Sequence, residues 1–137
     1  MKNLDSSLYQ HLKILVAEDN DINRLIVKSI LGKWGNEMKL AQNGNEVLAY
    51  IQSEPFDLVL MDIQMPEKDG IAATIEIRQL EDTSKKNIPI IALTANGLIG
   101  EAKKYIDSGM NGYLIKPFTE NQLLMKIHEV FTEPKES

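Results

Sequence analysis

The chain has 137 residues, 43% of them hydrophobic and 26% charged, with 15 basic and 20 acidic side chains and a net charge of −5. A chain of this length can bury about two-thirds of its unfolded surface in one core, which speaks against a disordered chain, a fibre or a multidomain enzyme. An acidic chain without a basic stripe is a poor ligand for nucleic acid, and the absence of cysteine rules out a disulfide framework, a thiolate zinc site and a thiol nucleophile.

Residues 1–11 are mostly polar and read as a loose extension without a signal-peptide core. The run Leu12–Ala17 is nearly continuous in Ile, Leu and Val, as in a strand buried on both faces of a parallel sheet. A helix follows, with Ile22, Ile26, Val27, Ile30, Leu31 and Trp34 spaced along one face and Gly35 as its stop. Leu25 lies at the flank of that stripe. The second run, Glu37–Ala41, alternates. Asn43 and Asn45 offer caps to a helix carrying Val47, Leu48 and Ile51.

The third run is Asp57–Met61, and Asp69-Gly70 opens a helix with Ala73, Ile77 and Leu80 on one face and Ile75 turned outward. The fourth run, Pro89–Leu93, precedes a weaker helix with Ala102, Tyr105 and Ile106 that ends near Gly109. After the fifth run, Gly112–Ile115, Thr119 and Gln122 form a capping-box pattern ahead of Leu123, Leu124, Ile127, Val130 and Phe131. The tail 132–137 is polar. Stretches such as Ile14–Ala17 are far too short to span a membrane, so no membrane insertion of this chain is expected.

Five alternating strands and helices predict one α/β domain over residues 12–131, a doubly wound (βα)5 unit with a five-stranded parallel sheet. Ligands of such sheets bind beyond the carboxyl ends of the strands. Glu18-Asp19 follow the first run, Asp62 the third, Thr94 the fourth and Lys116-Pro117 the fifth. Three carboxylates brought together repel, and a bound cation relieves them. All-oxygen ligands suit a hard ion, Mg²⁺ or Mn²⁺. A lysine and a hydroxyl beside that ion would hold phosphoryl oxygens, and a carboxylate can itself accept the phosphoryl group.

Four stretches carry a family resemblance: Val16-Ala17-Glu18-Asp19-Asn20; Met61-Asp62-Ile63-Gln64-Met65-Pro66 with Asp69-Gly70; Ala92-Leu93-Thr94-Ala95; and Gly112-Tyr113-Leu114-Ile115-Lys116-Pro117. In this order and spacing the chain resembles the receiver domains of two-component response regulators, most of all those of hybrid sensor histidine kinases. The resemblance runs from about Leu12 to Phe131 and implies a flavodoxin-like strand order 2-1-3-4-5. It implies that Asp62 accepts a phosphoryl group from a phosphohistidine. Asp19 would bind Mg²⁺ directly, Glu18 would help through water, and Asp62 and the Gln64 backbone carbonyl would complete the ligands. Thr94 would hydrogen-bond the phosphoryl group and Lys116 would pair with its charge.

The resemblance also implies a cis Lys116-Pro117 peptide and a switch in which Thr94 moves and Tyr113 turns inward. The output face would be the fourth helix, fifth strand and fifth helix. Gln64 and Asn96 occupy positions that tune the aspartyl-phosphate lifetime in the family. The implied partners are a sensor histidine kinase and a histidine phosphotransfer domain, in the cytoplasm. Ile22, Leu25 and Pro117 are the expected docking residues. Tyr113 has an alternative reading as a half-buried aromatic on an edge strand. Lys68 reads as a solvated loop lysine, His11 and His128 as surface residues, and the methionines as core filler.

Two other readings of the chain stand beside this one. One is a pseudo-receiver that is never phosphorylated. The other is a phosphatase of the haloacid-dehalogenase type, which needs a second Asp where this chain has Gln64. A stand-alone regulator and a piece of a larger kinase are both compatible with the sequence.

Overall fold

The computed structural model describes residues 5–95 and 97–132. Among these, five strands form one sheet: β1 (Lys13–Ala17), β2 (Glu37–Ala41), β3 (Leu58–Asp62), β4 (Ile90–Thr94) and β5 (Gly112–Ile115). Every pair is parallel and the order is β2-β1-β3-β4-β5, as the resemblance implies. β3 and β4 are buried at every position, because helices cover both sheet faces. β2, at one edge, alternates between exposed and half-buried residues until Ala41.

The third and fourth strands run one residue further than the apolar pattern. Asp62 pairs with Leu93 and Thr94 with Ile115. The ladder continues because the Ile63 amide donates to the Leu93 carbonyl and the Lys116 amide to the Thr94 carbonyl. The polar residues at these strand ends are therefore held by sheet hydrogen bonds, not by loops.

The helices are α1 (Asp21–Trp34), α2 (Gly44–Ser53), α3 (Gly70–Ile77), the single turn α4 (Thr83–Lys86), α5 (Ile99–Ser108) and α6 (Glu120–Thr132). The turn α4, capped by Asp82, has too few residues to show a periodicity in the sequence. The helices predicted as fourth and fifth are thus α5 and α6. Asn20, Asn43 and Asp69 accept backbone N–H groups as caps of α1, α2 and α3. The capping box forms as expected, with Gln122 N–H donating to Thr119 Oγ1 at 3.1 Å and Thr119 N–H to Gln122 Oε1 at 2.8 Å. Gly35, at φ +87°, closes α1 in the left-handed conformation that glycine adopts without strain.

Val27, Leu31, Leu123, Leu124 and Ile127 pack on one sheet face. Val47, Ile51, Ala73, Ile77 and Tyr105 pack on the other. The stripe read on α1 is only partly core. Ile22 is 70% exposed and Ile26 44%, because they lie about 140° and 100° round the helix from Val27, off the face that Val27, Leu31 and Trp34 bury.

Three further expectations are corrected. The extension is expected to be loose, yet in its described residues Ser6–Leu8 form a 3-10 turn and Tyr9 is docked. Asn36 Nδ2 donates to the Tyr9 and Leu12 carbonyls, and the Tyr9 ring lies 6.0 Å from that of Phe131. His128, read as a surface residue, is half-buried, with its Nδ1 2.5 Å from the Tyr9 hydroxyl. Lys68 is not a solvated loop lysine. A tight turn with Glu67 at φ +66° brings its half-buried side chain into an ion pair with Glu76, and its carbonyl accepts the Gly44 amide.

Arg78 ties α3 to the bases of β4 and β5. Its guanidinium donates to the carbonyls of Gly109, Lys86 and Ile88 and to Asn111 Oδ1, at 2.7–3.0 Å. Removing it strands several carbonyls without donors. Arg78→Ala is expected to cost about 2–4 kcal/mol, read as a lower urea midpoint. Arg78→Lys should recover little of this, because one ammonium cannot span the same carbonyls.

Candidate functional site

All five strands end at one edge of the sheet, and the ends of β1, β3, β4 and β5 build a single acidic pocket. β1 delivers Glu18 and Asp19 and β3 delivers Asp62. Carboxylate oxygens of these three residues lie within 4.8 Å of one another, a grouping that could hold a metal ion. Glu18 and Asp62 are buried while Asp19 is exposed. Lys116, from the loop after β5, sets its Nζ 3.0 Å from Glu18 Oε1 and 3.3 Å from Asp62 Oδ1. The Lys116-Pro117 peptide is cis. The cavity above these groups measures about 440 Å³, and Gln64, Thr94 and Tyr105 complete its walls.

The acidic loop is fixed by its own backbone. The Glu18 amide continues the ladder to the Ala41 carbonyl, and Asn20 N–H donates to Glu18 Oε2 at 3.3 Å. Arg24, one turn into α1, donates to the Glu18 and Asp19 carbonyls at 3.2 Å each. Gly70 lets α3 start against the back of Asp62. A Cβ there would lie 2.4 Å from the Asp62 carbonyl oxygen, inside any real contact.

Electrostatics follow from burial. Loss of water pushes the Glu18 carboxyl up to about 7, and the adjoining Asp62 carboxylate adds to this while Lys116 opposes it. A cation entering the pocket would reverse that balance, since it favours the ionised form of every carboxylate.

The structure brings together Glu18, Asp19, Asp62, Gln64, Thr94 and Lys116, the positions read from the sequence. It separates the others from this pocket. Tyr113 is half-buried on β5, an edge strand, and its ring meets that of Tyr105 edge-on at 6.2 Å. Ile22 and Leu25 lie on α1, 70% and 66% exposed. Pro117 lines a neighbouring crevice with Ile26, Val27 and Phe118 that shares Glu18, Asn23 and Lys116 with the acidic pocket. Asn96 falls outside the described residues. Two contributors escaped sequence reasoning. Arg24 had the signal of a basic residue one turn after the acidic pair. Tyr105 read only as an apolar helix position, but its hydroxyl lies 2.9 Å from Thr94 Oγ1.

Residues 14–128 match the response regulator receiver domain family. This chain belongs to that family. It is 42% identical over 112 residues to the sensor histidine kinase GacS of Pseudomonas protegens, covering 81% of this chain and 12% of that protein. It is 38% identical over 116 residues to hybrid signal transduction histidine kinase I of Dictyostelium discoideum, covering 81% of this chain and 7% of that protein. The receiver thus spans a small part of the relatives it matches.

Among solved structures, the receiver domain of a sensor histidine kinase from Pseudomonas aeruginosa, with magnesium in its active-site cleft, superposes with a TM-score of 0.78 at 36% identity, covering 87% of this chain and 95% of that one. The Saccharomyces cerevisiae co-crystal of the phosphotransfer protein Ypd1 with the receiver domain of the response regulator Ssk1 matches at 0.80 and 35% identity, covering 88% of each chain. The chemotaxis response regulator CheY4 of Vibrio cholerae matches at 0.80 and 29%, covering 88% and 98%. Among the described residues, no helix of this receiver is long and apolar enough to cross a membrane.

The raised Glu18 carboxyl makes stability depend on pH. Between its ordinary value of 4.5 and about 7, the folded metal-free receiver keeps a proton that the unfolded chain has lost. The contribution of Glu18 to stability therefore falls as pH rises through that window and levels off above it. In chelator, urea midpoints of wild type and Glu18→Gln measured from pH 4.5 to 8 should diverge, with the wild type losing stability relative to the variant as pH rises.

Proposed function

We propose that Asp62 accepts a phosphoryl group from a phosphohistidine and that the receiver passes the signal on as a switch or a relay. The contact of Lys116 with both Glu18 and Asp62 carries this reading, because it puts the cation of phosphoryl chemistry beside the acceptor carboxylate. A carboxylate oxygen of Asp62 forms a bond to phosphorus, the P–N bond to the donor imidazole breaks, and the imidazole keeps the electron pair. Lys116 then exchanges carboxylates for phosphoryl oxygens and Thr94 donates its hydroxyl to one of them.

The donor set fits a hard divalent ion. Asp19 and Asp62 would bind it directly, Glu18 through water and Gln64 through its backbone carbonyl. Such an ion, Mg²⁺ or else Mn²⁺, supplies charge neutralisation for the transferring group. The chain itself carries the phosphoryl group until it is hydrolysed or passed to a histidine phosphotransfer domain, so this receiver is a self-modifying switch and not a stand-alone turnover enzyme. The domain proper is residues 12–131, and it works in the cytoplasm, where an ATP-dependent histidine kinase is charged.

The partners are a sensor histidine kinase and a histidine phosphotransfer domain. The donor must approach Asp62 from the open side of the pocket. Ile22 and Leu25 on α1 and Pro117 after β5 are exposed apolar groups on elements that contribute to the pocket. Their burial would dock a helical phosphohistidine domain. The added charge alters the face made by α5, β5 and α6, with Tyr113 reporting the change.

Incubation with acetyl phosphate and Mg²⁺, followed by intact mass measurement, is expected to show one phosphoryl adduct on the wild type and none on Asp62→Asn. A wild type that never gains the adduct is a pseudo-receiver, and one that releases phosphate with turnover is a phosphatase. Docking has a separate measurement. With the fold intact by circular dichroism, Leu25→Asp should slow transfer from a phosphorylated phosphotransfer domain at least about tenfold. An unchanged transfer rate removes Leu25 from the interface.

A further inference from the structure

Thr94 and Tyr113 are the switch pair implied by the family, and in this chain a third side chain touches both. Tyr105 lies on α5, one turn before that helix ends at Gly109, and is 2% exposed. Its hydroxyl oxygen is 2.9 Å from Thr94 Oγ1. Its ring packs edge-on against Tyr113 with 6.2 Å between centroids. It also forms part of the wall of the acidic pocket. Phenylalanine would supply the same apolar packing. The hydroxyl is what the site adds, and it meets Thr94, the side chain expected to move toward the phosphoryl group.

A threonine hydroxyl has a single proton and two lone pairs. A phosphoryl oxygen is an acceptor only, so Thr94 must give that proton to it and turn toward Asp62 to do so. The Tyr105 hydroxyl engages Thr94 from the α5 side. A contact made in the resting state and lost in the phosphorylated one shifts the equilibrium toward rest.

We propose that the Tyr105 hydroxyl is a latch that holds Thr94 in its resting place and is released when Thr94 turns to the phosphoryl group on Asp62. Tyr105 is a positioning residue, since it acts through Thr94. Its release reaches α5 through its own backbone and Tyr113 through ring contact. The latch rests on the reading of Asp62 as phosphoacceptor.

Beryllofluoride, which mimics a bound phosphoryl group, tests the latch with Mg²⁺ present. Amide spectra followed by NMR give the midpoint of the response. Tyr105→Phe removes the hydroxyl and keeps the ring, and it should lower the beryllofluoride midpoint about threefold to tenfold, the factor carried by one net hydrogen bond. In a Thr94→Ala background the same substitution should change the midpoint by less than about twofold, because the contact with Thr94 is already gone. A merely structural role would lower the melting temperature without tightening the response. A wild type that responds, with an equal or higher midpoint in Tyr105→Phe, overturns the latch alone. An equal gain in the Thr94→Ala background also overturns it. A wild type without any response overturns the acceptor reading and the latch with it.

Discussion

The ammonium of Lys116 spans Glu18 and Asp62, and the functional edge of this domain depends on that contact. Parallel strands deliver their carboxyl ends to one side, so the residues that end β1 and β3 are brought together whether or not their charges agree. Two of the resulting carboxylates are buried. Burial and mutual repulsion drive Glu18 toward its protonated form, and the lysine from the far side of β4 partly offsets this. The pocket is therefore built under electrostatic tension that a divalent cation or a phosphoryl group changes directly.

The surrounding framework keeps that tension local. Sheet hydrogen bonds hold Asp62 and Thr94 as the last residues of their strands. Arg24 pins the carbonyls of the acidic loop, and the close approach at Gly70 backs Asp62. Thr94 bonds to the Tyr105 hydroxyl, which ties the end of β4 to α5. In the switch proposed above, Asp62 is the fixed acceptor and the Thr94 hydroxyl is the group that moves.

Much of the fold was legible in the sequence because its signals are local. Continuous Ile, Leu and Val marked the strands that are covered on both faces, and Asn43, Asp69 and Thr119 marked helix starts that the structure confirms. The residues of the pocket were legible for a topological reason: a polar group just past a buried apolar run sits at the ligand-binding edge of a parallel sheet. Less visible were contacts between segments far apart in the chain. Tyr9 and His128 are 119 residues apart, and the carbonyls gathered by Arg78 come from two separate loops. No periodicity reports such pairings.

By itself the sequence determined the order of elements, the layered α/β architecture and the chemical types collected at the strand ends. Hydrophobic period and capping chemistry act over a few residues, and they constrain what each segment becomes. Only the tertiary structure decided which apolar faces are covered. Ile22 and Ile26 are read with Val27 and Leu31 as one apolar stripe, yet only Val27 and Leu31 face the core, and the other two fall at its exposed margin. It also decided that Lys68 pairs with Glu76 and that Tyr105 reaches Thr94. Those outcomes depend on how helices and loops are placed across the sheet, a property of packing in three dimensions that spacing along the chain does not encode.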